Sequence, residues 1–278
     1  MTAGRSPLAR LPAILYMAAL YAFLFAPLIV VAGASLGSGD RPYVAFPPDS
    51  LSLEWYRRIP PRTVDALLTS VALACTTAVL AVLIALPAAL GLVRDRFPGR
   101  RVVALLLRAP LQIPFIVTGI AFLQLYYVIS GAFGLSLRGS FAGLVLGHLF
   151  LATPYAIGSI AAVLQRQNLR LEEAACILGA SRWRSFRRVT LPLAMPGVYT
   201  GALYAFIVSF GEVPVALFLG GPGATTFPVE LFSSMQFDFN PSILAVSTLT
   251  LILSIAVLVL LQRLVGLDAL LRAGAGRG

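Results

Sequence analysis

Long apolar runs dominate the pattern of hydrophobic and polar positions along this chain of 278 residues. A helix that crosses a lipid bilayer needs about 20 mostly apolar residues. Six runs are long enough: Leu11–Ser35, Ala66–Val93, Pro110–Ser130, Phe141–Leu164, Pro196–Gly220 and Ser242–Val265. The pattern therefore predicts an all-α integral membrane protein with six transmembrane helices.

The segments between these runs are short. Ser52–Ile59 lies between proline pairs and predicts a short interfacial helix with Trp55 and Tyr56 as amphipathic anchors. Val102–Arg108 predicts an interfacial lead-in to the third span. Because no polar stretch is long enough for a soluble domain, we expect one membrane domain over residues 1–278.

The first apolar run has two interpretations, because Arg5 and Arg10 precede it and small residues end it. A secretory signal has an apolar region of only 7–15 residues, and this run is longer. The sequence favours a retained membrane helix over a cleaved signal.

The composition supports a membrane protein. Hydrophobic residues make up 59% of the chain and charged residues 12%, against about 45–50% and about 25% in soluble domains. One water-soluble core of this size cannot hide such an excess. The bilayer must therefore be part of the solvent.

The net charge of +10 comes from 21 arginines and no lysine. Basic residues collect on the cytoplasmic side of membrane proteins, which explains the charge without a nucleic-acid partner. With both termini in the cytoplasm, only five arginines lie outside: Arg41, Arg57, Arg58, Arg62 and Arg138. The N-in/C-in orientation is therefore predicted. A phosphate-binding P-loop needs a lysine, so ATP-driven work through such a loop would require a partner.

Three residues that often carry chemistry give little signal here. Cys75 and Cys176 are too far apart in sequence to indicate a metal site or a redox pair. His148 is the only histidine and lies within the fourth apolar run. Its pattern favours a hydrogen-bonded packing residue over a proton relay.

Glu212 is the only formal charge at clear membrane depth within the apolar runs, in the sequence Ser209-Phe210-Gly211-Glu212-Val213-Pro214. Burying an acid at the centre of a helix costs roughly 2.5–3.5 kcal/mol on insertion scales. Glu212 and Ser209 are candidates for a substrate path or gate. A structural hydrogen bond at a helix kinked by Pro214 explains Glu212 equally well.

The most informative polar segment is Gln165–Leu193, between the fourth and fifth spans. Helical spacing of apolar residues predicts a helix over Asn168–Leu178. Glu172 and Glu173 fall in its first turns, where acids complement the helix dipole. Gly179 is placed just past the end of this helix, where a left-handed backbone costs glycine little.

A second short helix should follow, capped by Ser181 and running through Val189 until Pro192 stops it near the membrane. Trp183 and Phe186 would supply its apolar anchors. Such an L-shaped pair suits docking into a groove on another protein. An amphipathic loop attracted to anionic lipid is an equal alternative on physical grounds.

The spacing in this segment resembles the EAA loop of bacterial ABC-importer permeases. That signature is Glu-Ala-Ala, three residues, Gly, nine residues, Ile, one residue and Leu-Pro. Here the matching positions are Glu173, Ala174, Ala175, Gly179, Val189 in place of Ile, Leu191 and Pro192. The loop lies between the fourth and fifth of six spans, as in the family, and the resemblance extends over a core of about residues 63–265.

The resemblance implies a non-catalytic permease subunit of the bacterial inner membrane. It would pair with a second, identical or homologous permease subunit, two cytoplasmic ATPase subunits and an extracytoplasmic solute-binding protein. ATP and Mg would be bound by the ATPase, with no cofactor in this chain. The ATPase-coupling residues implied by the loop are Glu172, Glu173, Ala174, Ala175, Gly179, Ala180, Ser181, Leu191 and Pro192.

The segment Phe210–Leu249 is similar to the spermidine/putrescine branch of this family. That branch often has two adjacent acids where this chain has Gly211-Glu212. The resemblance implies alternating-access import of a small solute, with polyamine, ferric iron, phosphonate and thiamine all open.

Two other classes are rivals. An ion-gradient-driven secondary transporter usually shows several intramembrane acids, inverted repeats or broken half-helices, and Glu212 alone supports it weakly. An intramembrane enzyme would need paired carboxylates, a metal-ligand cluster or a Ser/His/Asp set, and the spans show none in sequence.

Overall fold

The computed structural model describes residues 7–39, 45–237 and 240–265. These residues form helices and connecting turns, with no strand among them. The helices are α1 Pro7–Ala34, α2 Glu54–Arg57, α3 Pro61–Arg94, α4 Arg100–Arg108, α5 Phe115–Phe133, α6 Phe141–Leu164, α7 Arg170–Ile177, α8 Arg182–Ser185, α9 Leu191–Phe210, α10 Pro214–Leu219, α11 Phe227–Phe237 and α12 Ser242–Val265. The predicted all-α class is confirmed.

Five helical segments in the described ranges are long and apolar enough to cross a membrane: Pro12–Ala34, Pro61–Arg94, Phe115–Phe133, Phe141–Leu164 and Arg182–Phe210. The sixth predicted span has the same bounds as α12. The apolar stretch of α12 over Ser242–Val257 is shorter than the other five, within the range of 10–17 residues. The count of six and the N-in/C-in orientation stay predictions.

The described residues divide between two compact units, one within Met1–Thr63 and Ser233–Ile255, the other within Val64–Phe232 and Ala256–Gly278. The prediction of a single domain over 1–278 stays a prediction.

In the first unit, the predicted helix over 52–59 is only the four residues of α2. Trp55 is buried, and its Nε1 donates to the Gly39 carbonyl at 3.1 Å. The Tyr56 hydroxyl bonds the Ser35 hydroxyl at 2.7 Å. These contacts hold α2 to the chain just after α1, so the expectation of two interfacial anchors is wrong for Trp55.

The core of the second unit is rich in alanine where α3, α6 and α9 meet. It includes Ala81, Ala85, Ala89, Ala152, Ala156, Ile160, Ala194 and Ala205. A Cβ at Gly201 of α9 would meet the Ala156 backbone of α6 at 3.2 Å. Small residues let helices approach closely where lipid gives no hydrophobic drive for association. The sequence therefore sets the tight packing of α6 on α9.

The third span begins later than predicted. α4 is a separate helix, followed by a 3-10 turn at Ala109–Gln112, and α5 begins only at Phe115. Pro114 lies immediately before α5 with an extended backbone. A proline cannot donate the hydrogen bond that would continue the preceding turn, so the chain breaks there.

The fifth span also differs from the prediction. Helical structure is continuous over Arg182–Phe210, so the expectation that Pro192 stops the helix is wrong. A widened, π-helical turn at Phe186–Thr190 precedes Pro192, whose ring would clash with the carbonyl four residues earlier in a regular α-helix. The span ends at Phe210 instead of Gly220, and α10 follows after a break.

The segment after α10 contains a further helix, α11. The Phe227 amide at the start of α11 donates to the Ser70 hydroxyl of α3 at 2.7 Å. This buried bond joins two segments that are far apart in sequence, which local patterning cannot reveal.

Candidate functional site

The 165–193 loop joins α6 to the continuous helix that ends in α9. The predicted helix over Asn168–Leu178 is α7, which begins at Arg170, and the Asn168 side-chain oxygen accepts from the Arg170 amide at 3.1 Å. Glu172 and Glu173 lie in the first turn, as predicted. Helix α7 buries none of its residues. It is therefore a surface helix that must be positioned by something other than an apolar core.

The turn after α7 has the predicted geometry. Gly179 has a φ of 85°, in the left-handed region, and the Ala180 amide donates to the Ala175 carbonyl at 3.0 Å. Ser181 caps α8, because its hydroxyl accepts from the Arg184 amide at 3.3 Å. The bend between α7 and α8 is therefore confirmed.

The outer surface of this loop is apolar and open. Ile177 is 85% exposed, Leu178 88% and Trp183 69%. Trp183 stacks on Phe186 with ring centroids 5.5 Å apart. Neighbouring apolar side chains that are exposed together mark interaction sites. The loop presents a surface that fits a partner protein or a lipid surface.

The motif residues divide between this surface and the body of the loop. Glu173, Ala174, Gly179, Ser181 and Pro192 are exposed, whereas Ala175, Ala180 and Leu191 are half-buried. Within the predicted set, Glu172 forms an ion pair with Arg94.

Glu172 is the centre of a polar cluster. One carboxylate oxygen is paired with the Arg94 guanidinium, and the other accepts a hydrogen bond from the Thr190 hydroxyl. Arg94 also donates to the Gln167 side-chain oxygen at 3.1 Å. The cluster brings together the last residue of α3, the segment after α6, the first turn of α7 and the π-helical turn before α9.

The charge state of Glu172 follows from these contacts. Burial by itself raises the pKa of the carboxyl. Hydrogen bonds from Arg94 and Thr190, with the charge of Arg94, outweigh burial and lower its pKa below the ordinary 4.5. Glu172 is therefore ionised at neutral pH and forms a charge-assisted link to Arg94.

The second candidate region is the break after α9, which contains Ser209 and Glu212. The Ser209 hydroxyl lies 2.9 Å from His148 Nδ1 of α6. Glu212 accepts from the Val215 amide at 2.7 Å and from the Ala216 amide at 2.9 Å. The Nε2 atom of His148 lies 3.9 Å from Glu212.

These contacts give the buried acid a local role. Glu212 caps the start of α10, where two amides have no partner within the helix. Both carboxylate oxygens are used in these bonds, and the side chain is buried. The structure brings Ser209 and Glu212 together through His148, which joins α6 to the break.

Sequence reasoning missed three residues of these clusters: Arg94, Gln167 and Thr190. His148 is a buried hydrogen-bonded packing residue, as predicted, but its partner Ser209 was not foreseen. Nothing in the local sequence marks Arg94 as a partner of Glu172. The cap at α10 did leave a signal, since an acid two residues before Pro214 is typical of a helix start. Among the described residues, no group of three or more His, Cys, Asp or Glu could hold a metal ion.

The long apolar helices and the exposed bent loop over 165–193 together define a multi-pass membrane protein. Residues 79–268 match the family described as "Binding-protein-dependent transport system inner membrane component". The chain belongs to this family, whose members are non-catalytic inner-membrane permease subunits of ABC importers. The resemblance inferred from the loop is thus confirmed.

Two curated relatives cover most of the chain. The "Putrescine transport system permease protein PotI" of Escherichia coli (strain K12) is 34% identical over 236 residues, 83% of this chain and 82% of that protein. The "Spermidine/putrescine transport system permease protein PotC" of Haemophilus influenzae is 32% identical over 249 residues, 89% of this chain and 93% of that protein.

Two solved structures share the fold. One, described as a bacterial ABC transporter involved in the import of the acidic polysaccharide alginate, has a TM-score of 0.71 at 19% identity and covers 94% of this chain and 99% of that chain. The MetNI methionine ABC transporter, in inward-facing conformations, has a TM-score of 0.60 at 21% identity and covers 74% of this chain and 98% of that chain. These likenesses concern the fold alone.

Proposed function

We propose that this chain is the permease subunit of an ABC importer that carries a polyamine. The observation that carries the proposal is the extended identity to two polyamine permeases, at 34% and 32% over more than four fifths of this chain. It raises polyamine above ferric iron, phosphonate and thiamine, although Gly211 replaces one of the adjacent acids common in that branch.

The 165–193 loop is the proposed contact with the ATPase. Its open apolar side chains Ile177, Leu178 and Trp183 suit a groove on a partner protein, and the small Ala174 allows close approach. Glu173 is exposed beside them and available to a basic partner surface. Two cytoplasmic ATPase subunits would bind ATP and Mg, and their closure would move this loop.

Import further requires that two global states differ in contacts at the ATPase and along the solute path. A second permease, either a copy of this chain or a homologue, would form the other half of the path. A soluble binding protein would deliver the solute from outside. Rocking between inward-open and outward-open states would then complete alternating access.

The break with Ser209 and Glu212 is the proposed gate region. Irregular backbone at membrane depth is tolerated only where protein buries it or where it lines a wet cavity. Because both oxygens of Glu212 bind the amides of α10, we assign Glu212 to holding the gate in shape. In uptake assays, Glu212→Gln should change the maximal rate more than the apparent KM for the solute. A change confined to the KM would instead mark Glu212 as a solute ligand.

The decisive experiment is uptake by proteoliposomes that contain the purified complex with its ATPase and binding protein. We expect ATP-dependent uptake of putrescine or spermidine, and mass spectrometry should find a polyamine in the binding protein. Uptake driven by an ion gradient without any ATPase would contradict the proposal and favour a secondary transporter.

Docking is tested separately with Glu173→Arg and Gly179→Pro. Both should reduce recovery of the ATPase with the permease while membrane insertion stays normal, because both changes lie on the exposed loop. Asp95→Arg is a matched control, since it places the same charge change at an exposed position outside the loop. Normal complex yield and uptake in both loop variants would contradict the assignment.

A further inference from the structure

Helix α7 has few apolar contacts through which its movement could reach the membrane-spanning helices. It buries none of its residues completely, so apolar packing gives it little hold on the spans. Coupling between distant parts of a protein is carried by packed side chains and by hydrogen-bond and salt-bridge networks. The contacts that tie α7 to more distant parts of the chain must therefore be sought among its polar side chains.

The cluster around Glu172 supplies such contacts. Arg94 is the last residue of α3, and Thr190 ends the π-helical turn that leads into α9. The two carboxylate oxygens of Glu172 bind one of these residues each. A single side chain of α7 thus contacts the loop-side ends of two spans.

Arg94 extends the link to a third span. One of its guanidinium nitrogens is paired with Glu172, and another donates to Gln167, three residues past the end of α6. The fork of arginine holds two acceptors in a fixed geometry, which lysine does not. Arg94 is therefore bound to α7 and to the segment after α6 at the same time.

The surroundings strengthen the pair. The Arg94 side chain is 16% exposed and the Glu172 side chain 27% exposed. Partly buried charges are screened by salt much less than open ones. The adjacent Glu173 is exposed, so the two neighbouring acids of the motif face different environments.

We propose that Arg94 and Glu172 form the positioning link that passes movement of α7 to α3, with Thr190 passing it to α9. The inference rests on the proposed function, in which an ATPase moves the 165–193 loop. Glu173 and the apolar side chains meet the ATPase, and Glu172 holds the inner side of the same helix to the spans.

If the Arg94–Glu172 pair only kept the loop folded, its loss would have a different effect from the loss of a positioning link. Loss of a folding contact lowers the amount of intact complex, but each remaining complex transports normally. Loss of a link leaves the complex intact, whereas ATP hydrolysis moves less solute. The ratio of solute transported to ATP hydrolysed, measured per assembled complex, separates the two roles.

The test uses the full complex in proteoliposomes with radiolabelled putrescine. Glu172→Gln removes the ion pair while keeping side-chain size, and Arg94→Gln removes it while leaving a shorter polar side chain. We expect normal recovery of the ATPase and continued hydrolysis, with putrescine transported per ATP reduced about fivefold or more, the lower end of typical coupling effects. Exchanging the charges, Arg94→Glu with Glu172→Arg, should restore part of the ratio.

Arg96→Gln is the matched control, because Arg96 is exposed two residues beyond Arg94 and its variant should keep the wild-type ratio. Thr190→Val removes one hydroxyl and should lower the ratio less than Glu172→Gln does. If the Gln variants assemble too poorly for the ratio to be measured, the ratio of putrescine transported to ATP hydrolysed is measured in Thr190→Val instead.

An unchanged ratio in Arg94→Gln and Glu172→Gln overturns the link, and so does an unchanged ratio in Thr190→Val where only that variant assembles. A reduced yield of complex whose remaining molecules keep the wild-type ratio also overturns it, since that result marks a folding contact. Failure of the proposed function is recognised separately, because the wild-type complex would then show no ATP-dependent putrescine uptake.

Discussion

Glu172 and Glu212 are two carboxylates wholly or partly withdrawn from water, and each is stabilised by a different kind of partner. Glu172 lies in the 165–193 loop and is balanced by the full charge of Arg94. Glu212 lies in the break after α9 and is bound by two backbone amides at the start of α10. One is a link between distant segments, and the other closes a local turn.

The difference follows from the surroundings. An arginine at membrane depth would itself cost several kcal/mol, whereas amides at a helix start are already present and need an acceptor. Glu172 lies near water, where a charged partner from a distant segment costs less, and Arg94 of α3 is that partner. A charged pair can join moving parts, whereas a cap fixes the shape of one element. The predictions below test this comparison.

The largest effect is expected for Glu212→Ala, because it leaves the amides of Val215 and Ala216 without their acceptor in a buried site. Each unsatisfied buried group costs about 1–3 kcal/mol, so we expect a loss of about 2 kcal/mol or more in unfolding free energy. Denaturant unfolding of the purified protein in detergent measures it. Glu212→Gln keeps an acceptor oxygen and should lose less. A loss below about 0.5 kcal/mol, the scale of ordinary surface substitutions, would refute the capping role.

Glu172→Ala should destabilise the protein less, by about 1.5 kcal/mol, because a hydrogen-bonded charge is lost from a partly exposed site. The neighbouring Glu173→Ala is an internal control, since Glu173 is exposed and its change should stay within about 0.5 kcal/mol. Unfolding of both variants under the same conditions makes the comparison. Equal losses would show that the two acids of the motif do not differ as described.

Gly179→Ala should cost about 1 kcal/mol, because a left-handed backbone is unfavourable for a residue with a Cβ. No atom lies within 4 Å of the added Cβ, so the cost is conformational and not a clash. Gly179→Asn should be tolerated better. Thermal unfolding ranks the three proteins, and a more stable Ala variant would contradict the left-handed turn.

The smallest effect concerns pH. Because the folded state holds the pKa of Glu172 below 4.5, its contribution is fully present above pH 4.5 and is lost as pH falls through the folded value. The stability difference between wild type and Glu172→Gln should therefore be constant near neutral pH and shrink in acid. A difference that grows on acidification would reverse the inferred sign.

Much of the fold follows from local pattern. The run of apolar residues over Phe141–Leu164 predicted a helix with the same bounds as α6. Gly179 and Ser181 predicted the bend after α7, because a left-handed turn and an N-cap depend on residues only a few positions apart. The effect of Pro192 was misjudged, since a widened helical turn could accommodate it.

The sequence by itself determined the membrane class, the bent loop and the family, because hydrophobic length and motif spacing are properties of contiguous residues. Only the tertiary structure decided that Arg94 pairs with Glu172 and that His148 meets Ser209, 61 residues away. Such pairs depend on which helix faces touch. Close packing of α6 on α9 brings His148 to Ser209. The convergence of helix ends brings Glu172 to Arg94.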